Sequence, residues 1–123
     1  GVLKKIEETT ILGKDFKGTF SSADIHISPD GKFLYASNRG EANTITIFKI
    51  IKNGKLQMKG QTSTLGKGPR NFAIDPTGNF LLVAHQFTND VVIFKRNKTT
   101  GMLLNTGKKI TLCSPVCLVF TKN

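Results

Sequence analysis

Apolar residues in this chain come in short bursts that alternate with polar ones and break at turn-forming residues. Ala23–Ser28, Phe33–Ser37, Thr44–Ile50 and Lys55–Thr62 form one series of four. Asn71–Asp75, Phe80–Ala84, Asp90–Lys95 and Met102–Ile110 form a second. Each burst has the length and two-residue alternation of a β-strand, and the intervening Gly, Pro, Asn and Asp are turn formers. No window of ten or more residues carries the spacing of an amphipathic helix. The pattern predicts an all-β chain.

The two series are copies of one another. Ile27-Ser28-Pro29-Asp30-Gly31-Lys32-Phe33-Leu34 returns as Ile74-Asp75-Pro76-Thr77-Gly78-Asn79-Phe80-Leu81, 47 residues later. Ile45-Thr46-Ile47-Phe48-Lys49 returns as Val91-Val92-Ile93-Phe94-Lys95, with one residue fewer in the preceding loop. Gly54-Lys55-Leu56 is echoed by Gly101-Met102-Leu103 and, upstream, by Gly1-Val2-Leu3. Pro69-Arg70-Asn71-Phe72 is echoed by Pro115-Val116-Cys117-Leu118. Four-stranded units recurring every mid-forties of residues are the sequence signature of β-propeller blades. The expected division is an outer strand of a preceding blade with its linker over 1–22, blades over 23–68 and 69–114, and the first strand of a further blade over 115–123. About two and a quarter blades cannot close a ring, so the apolar end faces call for the remaining blades or for self-association.

Composition narrows the functional classes. The longest apolar run, Phe80–Ala84, has five residues, against the ~20 needed to span a bilayer. No membrane partner is expected, and the lysines near Gly1 are not followed by the apolar run of a secretory leader. The net charge is +10, which raises nucleic acid as a partner. Yet the basic residues fall singly along the chain and nearly all aromatics are Phe inside apolar bursts, so no specific nucleic-acid binding is expected; an anionic small molecule explains the charge as well. Cys113 and Cys117 lie four apart in an extended segment, roughly 13 Å at ~3.3 Å per residue, beyond disulfide reach. They read as free, packed thiols of a reducing, cytoplasmic compartment. The only histidines, His26 and His85, lack metal-ligand spacing, and neither a metal nor another cofactor is called for.

One stretch is more specific than a generic propeller. Ala23-Asp24-Ile25-His26 through Asn38-Arg39, followed by Pro69-Arg70-Asn71-Phe72 and Ala84-His85-Gln86, resembles the propeller-type 6-phosphogluconolactonase family, which also includes carboxymuconate lactonizing enzymes. The resemblance runs from about residue 20 to the end and falls in the family's C-terminal third. It implies a seven-bladed propeller acting on a lactone ring. His85 departs from the family, where Asn or a small residue is commoner.

The topology of a blade supplies candidate chemistry. The start of a first strand and the end of its antiparallel neighbour share one edge of the sheet. Asp24 and His26, Asn38 and Arg39, Arg70 and Asn71, and His85 and Gln86 are therefore expected to crowd one mouth of the central channel. Opening a lactone with water needs a base near neutrality, for which histidine is suited, and donors facing the carbonyl oxygen. An anionic lactone also needs an arginine for its phosphate or carboxylate. His26, Arg39 and Arg70 are the candidate catalytic residues, and Asp24, Asn38, His85 and Gln86 the candidate substrate contacts. Asp30 and Asp75 read as turn residues. Sugar-acid lactone hydrolysis is the leading expectation, with carboxymuconate cycloisomerisation and a non-catalytic binding scaffold as alternatives.

Overall fold

A computed structural model describes residues 1–121. It contains eight strands in chain order, β1 (Phe20–Ile27), β2 (Phe33–Gly40), β3 (Thr44–Ile50), β4 (Leu56–Ser63), β5 (Pro69–Ile74), β6 (Phe80–His85), β7 (Asp90–Arg96) and β8 (Leu103–Thr111). They form two antiparallel four-stranded sheets in the orders β1-β2-β3-β4 and β5-β6-β7-β8. The chain is all-β, and the two sheets are the two blades read from the repeat. The only helical element among the described residues is a 3-10 turn at Lys52–Gly54.

The repeated Pro-x-Gly triplets do what their composition dictates. Gly31 and Gly78 sit at φ +70° and +71°, where a side chain would be strained, and each donates its N–H back to Ser28 or Asp75 at 2.8 Å. The two turns trade roles between side chains. In the first, the Ser28 hydroxyl caps Phe33 N and donates to Asp30; in the second, the Asp75 carboxylate caps Phe80 N and accepts from the Thr77 hydroxyl.

Between the sheets lies one core: Phe33, Tyr35, Ile45, Ile47, Phe72, Leu81, Val83, Val92 and Phe94. Each such side chain contributes about 1.5–3 kcal/mol on burial, against about 1 kcal/mol for a typical hydrogen bond. Apolar packing therefore holds the blades together, and the polar seam described below sets their register.

The chain's two ends, expected to be strands of flanking blades, have no neighbouring strand to pair with among the described residues. No strand forms within 1–19, because an outer strand needs a neighbour to ladder with. Instead Lys4–Glu7 lies along a groove walled by Ile27, Leu34, Ile50 and Leu56. Ile11 anchors the following linker, its carbonyl accepting from Asn38 Nδ2 and Gln61 Nε2 at 2.9 Å each. Nor are residues 112–121 paired into a sheet, while 122–123 of the expected 115–123 strand lie outside the described residues. Cys113 and Cys117 are free but exposed rather than packed, since no sheet covers them.

Strand β1 also starts three residues earlier than the alternation indicated. Phe20, Ser21 and Ser22 pair with Gly40, Arg39 and Asn38 before a bulge interrupts the ladder. A second bulge falls at the equivalent place in β5, between Pro69 and Asn71.

Candidate functional site

The bulges decide where the polar residues point. A bulge leaves an extra residue unpaired and re-aims its side chain. In β1 the interruption spans Ala23 and Asp24; in β5 the unpaired residue is Arg70, which is exposed. Asp24 and His26, two apart, share a strand face, and that face meets β5 of the next blade.

Asp24 is the hub. Its Oδ2 lies 3.0 Å from His26 Nε2, accepts from Asn71 Nδ2 at 2.6 Å and accepts from Phe72 N–H at 3.1 Å. Its own N–H is 3.1 Å from the Ser37 hydroxyl. The Asp24 side chain is 21 % exposed and that of His26 44 %, so the carboxylate is sheltered and the imidazole is open. The buried Phe72 ring stands edge-to-face with the imidazole at 4.8 Å, which fixes its plane.

A carboxylate only accepts hydrogen bonds, so Nε2 carries the proton when the ring is neutral. The basic lone pair is then on Nδ1. The pair is thus a sheltered carboxylate orienting an open imidazole, the arrangement that gives a histidine one defined basic nitrogen.

The other candidates do not all gather there. Arg39 is opposite Ser21 and His26 opposite Tyr35, a separation of four positions along the unbulged β2, or roughly 13 Å at ~3.3 Å per residue. The expected crowding at one mouth is corrected accordingly: the residues are strung along the strands. Arg39 is half-buried, and its Nε is buried without a hydrogen-bond partner. Gln86 is half-buried, its backbone tied to Gly68 and Ser114.

Asn38 and His85 are corrected as substrate contacts. Both are fully buried, at equivalent positions under the segments that cross from one blade to the next. Asn38 Nδ2 donates to Ile11 O and to the Thr44 and Thr46 hydroxyls. His85 Nδ1 donates to Asp90 Oδ1 at 2.8 Å, with Gly66 so close over the ring that a Cβ there would collide with it. Burial pulls the His85 pKa below its ordinary 6.5, and the Asp90 carboxylate only partly opposes this. His85 Nε2 is buried without a partner.

Sequence reasoning also missed the polar clamp at the opposite end of the blade interface. Arg96, buried, donates from Nε to Tyr35 Oη at 2.8 Å, from Nη1 to Gly78 O at 2.8 Å, and from Nη2 to Asp30 Oδ2 at 3.0 Å. Tyr35 Oη in turn donates to Gly101 O at 2.7 Å. Asp30 is thus more than a turn residue. Burial would raise its pKa, but the Ser28 hydroxyl, the Lys32 N–H and the Arg96 guanidinium outweigh that and hold it at about 2. The available signal was a break in the repeat: Arg96 stands where the first copy has Ile50. Asn71 was legible the same way, as the counterpart of Asp24.

Among the described residues, no three His, Cys, Asp or Glu side chains gather as metal ligands, and no helix is long and apolar enough to cross a membrane.

The fold is two adjoining antiparallel four-stranded sheets with polar residues along their first strands, and comparison with known proteins specifies the family. A family model described as lactonase, seven-bladed β-propeller, matches residues 1–120. The chain belongs to this lactonase family. It is 62 % identical over 105 residues to a 6-phosphogluconolactonase of Formosa agariphila, covering 84 % of this chain and 30 % of that protein. It is 33 % identical over 121 residues to the 6-phosphogluconolactonase of Bacillus subtilis, covering 98 % of this chain and 34 % of the relative. Among solved structures, the periplasmic gluconolactonase of Pseudomonas aeruginosa superposes with a TM-score of 0.87 at 32 % identity, over 90 % of this chain and 31 % of that one. The chain spans about a third of the length of these curated relatives.

Proposed function

We propose that this chain supplies C-terminal blades of a lactone hydrolase whose substrate is a sugar-acid lactone of the 6-phosphogluconolactone type. The observation that carries the reading is the Asp24–His26 pair on the edge strand β1, with one sheltered carboxylate and one open imidazole. The names of the relatives support the same substrate class.

In this mechanism His26 Nδ1 takes a proton from water as the oxygen attacks the lactone carbonyl. The tetrahedral oxyanion then collapses with cleavage of the bond to the ring oxygen. The imidazolium returns its proton to that oxygen, leaving an acid and a free hydroxyl. Asp24 stabilises the imidazolium formed on the way. Arg70, on its bulge beside Asn71, steadies the oxyanion. Arg39 and Gln86, farther along the channel, meet the substrate's distal anionic group, for which a guanidinium is well matched. The exposed, unpaired Cys113 and Cys117 favour a reducing cytoplasm, although the Pseudomonas relative is periplasmic by name.

The test compares 6-phosphogluconolactone with unphosphorylated gluconolactone as substrates of the intact protein. Arg39→Ala is expected to raise KM for the phosphorylated lactone by about tenfold or more, in keeping with the loss of a charge-assisted contact worth about 1.5–3 kcal/mol. The unphosphorylated lactone is expected to be nearly unaffected. An equal effect on both substrates would remove Arg39 from phosphate recognition.

A further inference from the structure

We infer that Asn71 is a positioning residue for His26, and that it transmits the docking of the following segment to the Asp24–His26 pair. The inference rests on the reading of His26 as the base.

Asn71 is bonded on both sides. Its Nδ2 donates to Asp24 Oδ2 at 2.6 Å, and its Oδ1 accepts from Leu118 N–H at 2.7 Å. An amide has one donor end and one acceptor end. The Leu118 N–H therefore selects the orientation that turns the NH2 toward the carboxylate. The flipped amide would set its oxygen against Asp24 and its NH2 against an N–H, losing both bonds. Asp24 Oδ2 is the same oxygen that lies 3.0 Å from His26 Nε2, so the chain of contacts runs Leu118 N–H, Asn71 amide, Asp24 carboxylate, His26 imidazole.

The arrangement repeats with a difference. Asp24 accepts from Phe72 N–H of the next blade, and Asn71 accepts from Leu118 N–H one step further on. Both are bonds from a first-strand side chain to the backbone of the following unit. At the first seam the acceptor is a carboxylate, which can only accept. At the second it is an amide, which also donates, and its donor end is spent on the first seam's carboxylate. Asp24, part-buried, receives three donors on Oδ2 and the Ile25 N–H on Oδ1 at 2.9 Å. Losing the shortest of them, from Asn71, leaves two backbone N–H groups to hold the carboxylate and loosens its aim at Nε2. The residue that fixes the tautomer of His26 is then itself fixed by whether Leu118 is in place.

The readout is the nitrogen-15 spectrum of His26 in the intact protein with labelled histidine, recorded in alkaline buffer and assigned with His26→Asn. The wild type should show one neutral tautomer, protonated at Nε2 and bare at Nδ1. Asn71→Leu should mix the tautomers and lower kcat by about 10- to 100-fold, the cost of misplacing a reacting group by about 1 Å. KM should stay within about twofold, because uniform binding is untouched. Leu118→Pro withdraws the N–H while leaving Asn71 and Asp24 unchanged, and should shift the tautomers in the same direction, which keeps the test alive if Asn71→Leu fails to fold. Unchanged tautomers in both variants would overturn the inference, even if activity fell. A tautomer shift supports it whether or not His26→Ala turns out to abolish lactone hydrolysis.

Discussion

The interface between the two blades has two polar ends built from the same repeat, and they are used differently. At the end near the β1–β2 turn, Arg96, Asp30, Tyr35 and Gly101 form a closed network: the Arg96 side chain is 1 % exposed and its three donor nitrogens are all engaged. At the other end, Asp24 is equally engaged, but its partner His26 stands open with a free Nδ1. A closed network fixes register and has no capacity left for a ligand. An open one keeps a polar atom in reserve. Both ends link a carboxylate of the first blade to the second, so the number of bonds does not separate structure from chemistry. The exposure of the last partner does.

Breaking the closed end should have the largest effect. Arg96→Met strands the Gly78 carbonyl and removes one partner of Asp30, which is part-exposed and keeps the Ser28 hydroxyl and the Lys32 N–H. Losing these charge-assisted bonds costs about 2–3 kcal/mol. Calorimetry should show a large fall in melting temperature. A loss under about 1 kcal/mol, the scale of a surface pair, would mean that the clamp is ornamental.

Tyr35→Phe trims the same network by one hydroxyl. It strands the Gly101 carbonyl and one Arg96 donor, for an expected loss of about 1–3 kcal/mol by denaturant titration. A loss equal to that of Arg96→Met would show that the tyrosine, not the ion pair, sets the clamp.

Smaller effects appear on titration, in two separate windows. His85 has a depressed pKa in the folded protein, so its contribution is fully present above 6.5 and declines as pH falls through that value, because the unfolded chain binds the proton more readily. Asp30 is held at about 2; its contribution is present above the ordinary 3.8 and is lost between there and about 2. His85→Asn should flatten the upper window and Asp30→Asn the lower one, whereas Arg96→Met should only narrow the lower one, because the Ser28 hydroxyl and the Lys32 N–H still hold Asp30 down. If one variant flattened both, the two sites would be one coupled network rather than separate devices.

Much of the fold was legible because it is a repeat. Two copies of Pro-x-Gly flanked by alternating apolar bursts fix the strand order, the turns and the core positions independently of any partner. The site was only half legible, and the reason is physical. Asp24, His26 and Arg70 could be singled out as polar residues on a first strand. The bulges that aim them were not visible, since a bulge changes no residue type. Asn38 and His85 looked the same in sequence as Arg39 and Gln86, yet the segments crossing between blades seal them. Which polar residue a loop covers depends on where that loop returns, and alternation along a strand carries no information on that. The clamp at Arg96 was visible only as a mismatch with Ile50 in the other copy. Differences between copies are therefore as informative as the likeness that reveals the repeat.

The central claim is that the open end of the interface carries the chemistry and the closed end does not. The most direct measurement is lactone hydrolysis by His26→Ala in the intact protein, with its melting curve recorded on the same sample. The account predicts a fall in kcat of about 10²- to 10⁴-fold, the usual worth of a general base, with melting essentially unchanged because His26 is open to solvent. Hydrolysis at the wild-type rate by the folded variant would contradict it.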